Sequence, residues 1–178
     1  KTAMVGLAQA GDRYAAAVAC ADFDGDGYDD LVAGIPGEDR KTIGDAGAVS
    51  VLPGSPSGPD VGSDRLWHQD SKQIRNDAEA DDRFGETVAT GDFNRDGYAD
   101  LAVGVPGESF GSITEAGAVN VLYGSPSGLR GKSNQLWRQG QMLRNPQREG
   151  GFHGLAPPYM RKCSPRYTRR TSAFSTIS

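Results

Sequence analysis

The feature that most constrains this chain is an internal repeat with a fixed offset of 70 residues. Asp22-Phe23-Asp24 recurs as Asp92-Phe93-Asn94, and the offset then holds without a gap. Gly34, Pro36, Gly37 and Glu38 match Gly104, Pro106, Gly107 and Glu108. Ala46-Gly47-Ala48-Val49 matches Ala116-Gly117-Ala118-Val119, and Gly54-Ser55-Pro56-Ser57-Gly58 matches Gly124-Ser125-Pro126-Ser127-Gly128. Leu66-Trp67 returns as Leu136-Trp137. Self-similarity at a fixed period points to stacked copies of one small unit, each burying a face against its neighbour.

Each copy reads as four short strands. The first is expected over Tyr14 to Ala21, and Phe84 to Gly91 in the second copy. After an acidic turn, Leu31 to Ile35 and Leu101 to Val105 are apolar runs closed by Pro and Gly. Ala46 to Leu52 and Ala116 to Tyr123 form the third strand, and the fourth centres on Leu66-Trp67 and Leu136-Trp137. Four strands per period is the plan of a β-propeller blade. The 25 Gly and 10 Pro among 178 residues oppose a helical bundle, since these are the two poorest helix formers. No apolar stretch reaches the ~18 residues a membrane-spanning helix needs. The expected fold class is therefore all-β, with blade 1 at 11–70, blade 2 at 81–140 and an irregular tail at 141–178.

The acidic turns carry the chemistry. Asp22-Phe23-Asp24-Gly25-Asp26-Gly27-Tyr28-Asp29-Asp30 places carboxylates at positions 1, 3, 5 and 9, and Asp92, Asn94, Asp96 and Asp100 occupy the same positions in the second copy. Gly27 and Gly97 at position 6 permit the positive φ of a sharp turn. The carbonyls of Tyr28 and Tyr98 at position 7 complete five oxygen ligands per loop. Carboxylates crowded into one turn repel unless a cation neutralises them. Hard oxygen donors in a flexible loop suit Ca²⁺ better than Mg²⁺, so about two calcium ions are expected. An EF-hand is excluded, because its position 12 requires Glu where this chain has Ala33 and Val103.

These residues bring a family into view. Arg83-Phe84-Gly85, then Asp92 to Asp100, then Gly104-Val105-Pro106, resembles an FG-GAP repeat, in which Phe-Gly and Gly-Ala-Pro flank a D-x-D-x-D-G-x-x-D calcium hairpin. Such repeats build the head of integrin α subunits and occur in secreted bacterial proteins. The first copy departs mildly, with Tyr14-Ala15 for Phe-Gly and Gly34-Ile35-Pro36 for Gly-Ala-Pro. The resemblance implies one ion at Asp22, Asp24, Asp26, Tyr28 and Asp30, and another at Asp92, Asn94, Asp96, Tyr98 and Asp100. It implies an incomplete propeller, since propellers typically have four to eight blades and this chain has two recognisable copies.

Beyond residue 140 the pattern breaks. Residues 1–140 hold 12 basic and 22 acidic residues, whereas 141–178 hold 7 basic and 1 acidic. A third loop is due at 162, where Lys162-Cys163-Ser164-Pro165-Arg166 stands instead. The tail reads as a basic arm for a polyanion, as a solvated terminus, or as out-of-frame translation of a former blade; the abrupt change in composition favours the last.

Catalytic signals are sparse. His68 is replaced by Arg138 at the equivalent position of the second copy, so it is not a fixed feature of the repeat, and His153 lies in the tail. The Gly54–Gly58 turn has Pro56 where a nucleophile elbow has Ser. Cys20, in an apolar strand, reads as a small core residue. The chain begins at Lys1 without a charged-then-apolar leader, so either processing has removed one or the chain is cut from something longer. The reading is a non-enzymatic, calcium-stabilised, secreted or cell-surface interaction and adhesion module. Its expected partners are a protein ligand, further blades or a glycan, and not nucleic acid. The alternative is the non-catalytic propeller part of a secreted hydrolase, or a carbohydrate-binding propeller.

Overall fold

The computed structural model describes residues 8–139. The 141–178 tail, with His153 and Cys163, lies outside them. The described residues form eight strands: β1 (Val18–Ala21), β2 (Asp30–Ile35), β3 (Ala48–Leu52), β4 (Arg65–Trp67), β5 (Thr87–Gly91), β6 (Asp100–Val105), β7 (Ala118–Tyr123) and β8 (Arg130–Arg138). They pair antiparallel as two separate four-stranded meanders, β1-β2-β3-β4 and β5-β6-β7-β8. The registers repeat: Val32 faces Val51 as Ala102 faces Val121, 70 residues on. The described residues are all-β and form two propeller blades, an incomplete propeller. Among the described residues no helix is long and apolar enough to cross a membrane.

The first strands start later than the sequence suggests. Arg13 and Ala15 have φ of 54° and 63°, and Arg83 and Gly85 have 55° and 95°, so the chain turns there and strand geometry begins only at Val18 and Thr87. That turn has a purpose in the second copy, where it forms the junction between blades. Phe84 is fully buried and pairs with Gly47 in an isolated parallel bridge. Phe84 N–H donates to the Ala46 carbonyl at 3.0 Å and Arg83 N–H to the Asp45 carbonyl at 3.0 Å. Gly47 (φ 82°) must be glycine for this, because a Cβ there would stand 2.4 Å from both the nitrogen and the oxygen of Phe84.

One apolar cluster crosses the junction. Phe23, Val32, Val49 and Val51 of blade 1 pack with Phe84, Leu101, Val103, Val105 and Leu122 of blade 2. Positions 70 apart show what the junction covers. Val49 is 0% exposed and Val119 40%; Phe23 is 0% and Phe93 48%. Blade 2 covers the facing side of blade 1, while its own far side stays open. Cys20 corrects the sequence reading: it is an exposed free thiol, not a core residue. In β1 Val18 and Cys20 are exposed while Ala19 and Ala21 are half-buried, so alternation puts Cys20 on the uncovered side.

Candidate metal centres

Each acidic loop is the hairpin between the first two strands of its blade. In the first, Asp22 organises the turn. Its Oδ1 accepts from the N–H of Gly25 (2.6 Å) and of Asp26 (3.2 Å), and its Oδ2 accepts from Gly27 N–H (2.9 Å). Asp24 Oδ1 accepts from Asp26 N–H at 3.1 Å, and Asp26 Oδ1 from Tyr28 N–H at 2.8 Å. Residues that bond the backbone two to five positions on wind the chain into a tight coil. Gly25 and Gly27 supply φ of 77° and 92°. The coil brings one carboxylate oxygen each from Asp22, Asp24 and Asp26 within 4.8 Å of one another. Three carboxylates so close, on an exposed apex, present a strongly negative focus.

Asp30 stands apart from that trio and is buried at the start of β2. Its Oδ2 accepts from Phe23 N–H (3.1 Å) and its Oδ1 from Gly54 N–H (2.7 Å). It thereby ties the loop to the turn after β3. Burial raises its pKa, the Gly54 and Phe23 N–H groups oppose that, and the charges of Asp24 and Asp26 add to the rise. Tyr28, whose carbonyl completes the sequence-derived set, is on the exposed side of the loop.

The second loop repeats the wiring. Asp92 accepts from Asp96 N–H and Gly97 N–H, both at 3.1 Å; Asp96 Oδ1 accepts from Tyr98 N–H at 3.0 Å. Asp100 is buried and accepts from Phe93 N–H (2.7 Å) and Gly124 N–H (3.0 Å), the counterparts of Asp30's partners. Two details differ. Asn94 donates its amide to Asp96 Oδ2 at 2.8 Å, and Arg130 sits 3.9 Å from the same oxygen. The Tyr98 N–H and Asn94 amide bonds, ahead of the Arg130 charge, hold the Asp96 carboxyl below its usual range. Arg95, in place of Gly25, takes a left-handed φ of 63°.

The two loops touch, which the sequence gives no means of seeing. Ala99 N–H donates to the Asp22 carbonyl at 3.1 Å, and Ser125 N–H to the Phe23 carbonyl at 3.1 Å. A Cβ on Gly25 would stand 2.8 Å from the Tyr98 ring. All ten sequence-derived residues thus lie on two hairpins packed at one end of the blade pair.

A second acidic group was missed by the sequence reading. Oxygens of Glu79, Asp82 and Glu108 also lie within 4.8 Å of one another. Glu79 and Asp82 sit on the connector from β4 to β5, and Glu108 follows β6. No local spacing links 82 to 108; the junction brings them together.

The sequence profile of the FG-GAP repeat family matches residues 14–52 and 84–122, one stretch in each blade. Phosphatidylinositol-glycan-specific phospholipase D of Rattus norvegicus is 36% identical over 120 residues, 67% of this chain and 14% of that protein. Integrin alpha-PS2 of Drosophila melanogaster is 33% identical over 141 residues, 76% of this chain and 9% of that protein. Integrin alpha-3 of Mus musculus is 33% identical over 131 residues, 72% of this chain and 11% of that protein. The chain spans 14% or less of the length of these relatives.

Proposed function

Because this chain is an FG-GAP repeat protein, similar to integrin α subunits, we propose that each acidic hairpin binds one calcium ion and that the blades serve as an extracellular interaction scaffold. The observation that carries the reading is the convergence of the Asp22, Asp24 and Asp26 oxygens within 4.8 Å at an exposed loop apex. Every offered donor is a hard oxygen, which fits calcium. When bound, calcium supplies positive charge that offsets the mutual repulsion of the loop carboxylates. Asp22 and Asp92 coil the loop. Asp24, Asp26, Asn94 and Asp96 offer further oxygens, and the Tyr28 and Tyr98 carbonyls complete the set. Asp30 and Asp100 stay in the proposed set although each of their oxygens already accepts at least one backbone N–H, because a carboxylate offers about four lone-pair sites in all.

The role of calcium in this reading is structural. It holds rigid a hairpin that joins two strands and touches the next blade. The first loop, with four carboxylates against three, binds at least as tightly as the second. Affinities of ~10⁻⁴–10⁻³ M, usual for extracellular modules, suit a secreted or cell-surface setting. Calorimetry of the chain should show two loop sites, and Asp24→Ala with Asp96→Ala should remove both. Unchanged calcium binding and melting temperature in that variant would refute the reading.

The resemblance to a phosphatidylinositol-glycan-specific phospholipase D supports a second reading, in which the blades are a non-catalytic part of a secreted hydrolase or bind carbohydrate. Saturable binding on a glycan array would favour it. Binding to protein ligands alone would favour the adhesion scaffold.

A further inference from the structure

The acidic group at the blade junction differs from the loops in one respect that matters chemically: it is buried. Asp82 is 1% exposed and Glu108 is 0%, while Glu79 lies at the surface beside them. Buried carboxylates are ordinarily matched by donors or by a cation. Here the donors run short. Glu108 accepts from the Gln69 amide (2.6 Å) and the Asn76 amide (2.7 Å). Asp82 Oδ2 accepts from Glu79 N–H at 2.6 Å, while Asp82 Oδ1 has no donor in good hydrogen-bond geometry among the described residues, although the Gln69 side chain is near enough to oppose the rise in its pKa. Gln69, itself 1% exposed and bonded to Glu108, also leaves its side-chain oxygen without a donor. The two ion pairs among the described residues, Arg13–Glu86 and Arg130–Asp96, lie elsewhere. Three acidic side chains therefore stand together beside the Gln69 amide, with no basic partner among the described residues. Burial first, then the neighbouring acidic charges, pushes Glu108 up to about 7; burial likewise lifts Asp82 to about 6.

We propose that Glu79, Asp82 and Glu108, with the side-chain oxygen of Gln69, form a third divalent-cation site that staples blade 1 to blade 2. The all-oxygen donor set selects a hard cation of the Ca²⁺ or Mn²⁺ type. Exposed Glu79 marks the way in. Gln69 follows the last strand of blade 1, Glu79 and Asp82 lie on the connector, and Glu108 belongs to blade 2, so an ion there links both blades. The first copy supplies an internal contrast. Its equivalent pair, Asp12 and Glu38, is also buried and Asp12 Oδ1 also lacks a donor, but Gln9 stands where the junction has Glu79. Only the junction carries the third carboxylate.

The site does not depend on the loops binding calcium, and the test separates the two. The full chain with Asp24→Ala and Asp96→Ala is titrated with Mn²⁺ at pH 7.5, following free Mn²⁺ by electron paramagnetic resonance, with Ca²⁺ as competitor. One bound ion per chain is expected to remain. Glu79→Gln, at an exposed position that the fold does not need, should weaken it about tenfold or more, and Asp82→Asn should abolish it. The ion should also raise the melting temperature of the loop-emptied chain and not that of the chain further carrying Glu79→Gln. If the loop-emptied chain binds no Mn²⁺ at millimolar concentration, protons rather than a metal neutralise the cluster and the proposal fails while the loop reading stands. Residual binding indifferent to Glu79→Gln would equally overturn it. An ion that survives loop removal but not Glu79→Gln, in a chain whose loops bind nothing, would uphold the staple and sink the loop reading.

Discussion

The 70-residue repeat allows one substitution to be made twice, with and without a neighbour. Gly47 and Gly117 are equivalent, and both have positive φ, 82° and 74°. Alanine at either must adopt a left-handed backbone, at a cost of about 1–2 kcal/mol. At Gly117 nothing more is added, since the new Cβ would meet only Pro106 and Val105 atoms at 3.4 Å or beyond. At Gly47 it would stand 2.4 Å from the Phe84 nitrogen and oxygen and 2.8 Å from the Arg83 carbonyl carbon. These are backbone atoms, which cannot swing aside. The blade 2 turn must retreat by about 1 Å to restore ordinary carbon contact distances. That retreat strains two 3.0 Å hydrogen bonds, Phe84 to Ala46 and Arg83 to Asp45, each with a net value of about 1 kcal/mol. It also loosens fully buried Phe84, and overpacking of this kind adds about 1–3 kcal/mol. Gly47→Ala should therefore lose about 3–5 kcal/mol, and Gly117→Ala about 1–2 kcal/mol. Urea unfolding at fixed calcium, read by the fluorescence of Trp67 and Trp137, measures both. Equal losses would refute the account of the junction, because backbone strain alone predicts equality.

Phe23→Ala should cost about 3–5 kcal/mol as a buried aromatic, whereas Phe93→Ala, 48% exposed at the matching position, should cost under about 1 kcal/mol in the same urea assay. Asp30→Ala leaves the Phe23 and Gly54 N–H groups without their acceptor; a loss of about 2–4 kcal/mol is expected on melting in excess chelator, where calcium plays no part. Chelation of the unmodified chain should lower its stability by about 1.4 kcal/mol per loop ion when calcium had stood tenfold above its Kd. A scan that ignores chelator would refute a structural role for the ion. Burial, then the nearby Arg40 charge, holds His68 down at about 4 from 6.5. The folded state thus resists protonation that the unfolded chain accepts, so this contribution is complete above pH 6.5 and is lost as pH falls toward 4. His68→Gln should therefore lose about 1–2 kcal/mol less than the unmodified chain between pH 7 and 4.5 by urea titration, the half-buried site discounting the full shift.

Much of the candidate loop site was legible because its determinants are local. Asp22, Asp24 and Asp26 converge through bonds to backbone groups no more than five residues away, and a pattern of alternate oxygens with glycines encodes that coil directly. Asp30 was legible as a conserved spacing within the two copies but not as a tie to Gly54, 24 residues on. The late start of β1 and β5 escaped notice because Arg13, Ala15 and Arg83 adopt positive φ without being glycine. At Arg83 that conformation is held by the junction, where its N–H bonds the Asp45 carbonyl, and not by residue type.

By itself the sequence determined the number of blades, their four-strand meander and the two acidic hairpins, since a strict period and local turn chemistry carry these. Only the tertiary structure decided which of two equivalent residues is covered. Val49 and Val119 occupy the same register in the same strand, yet one is fully buried and the other 40% exposed. Cys20 went wrong for the same reason: an apolar strand has two faces, and alternation does not say which face has a neighbour. The Glu79, Asp82 and Glu108 cluster is likewise a product of one blade folding onto the connector from the other. Burial depends on what lies across an interface, and that is a property of the assembled chain rather than of any stretch along it.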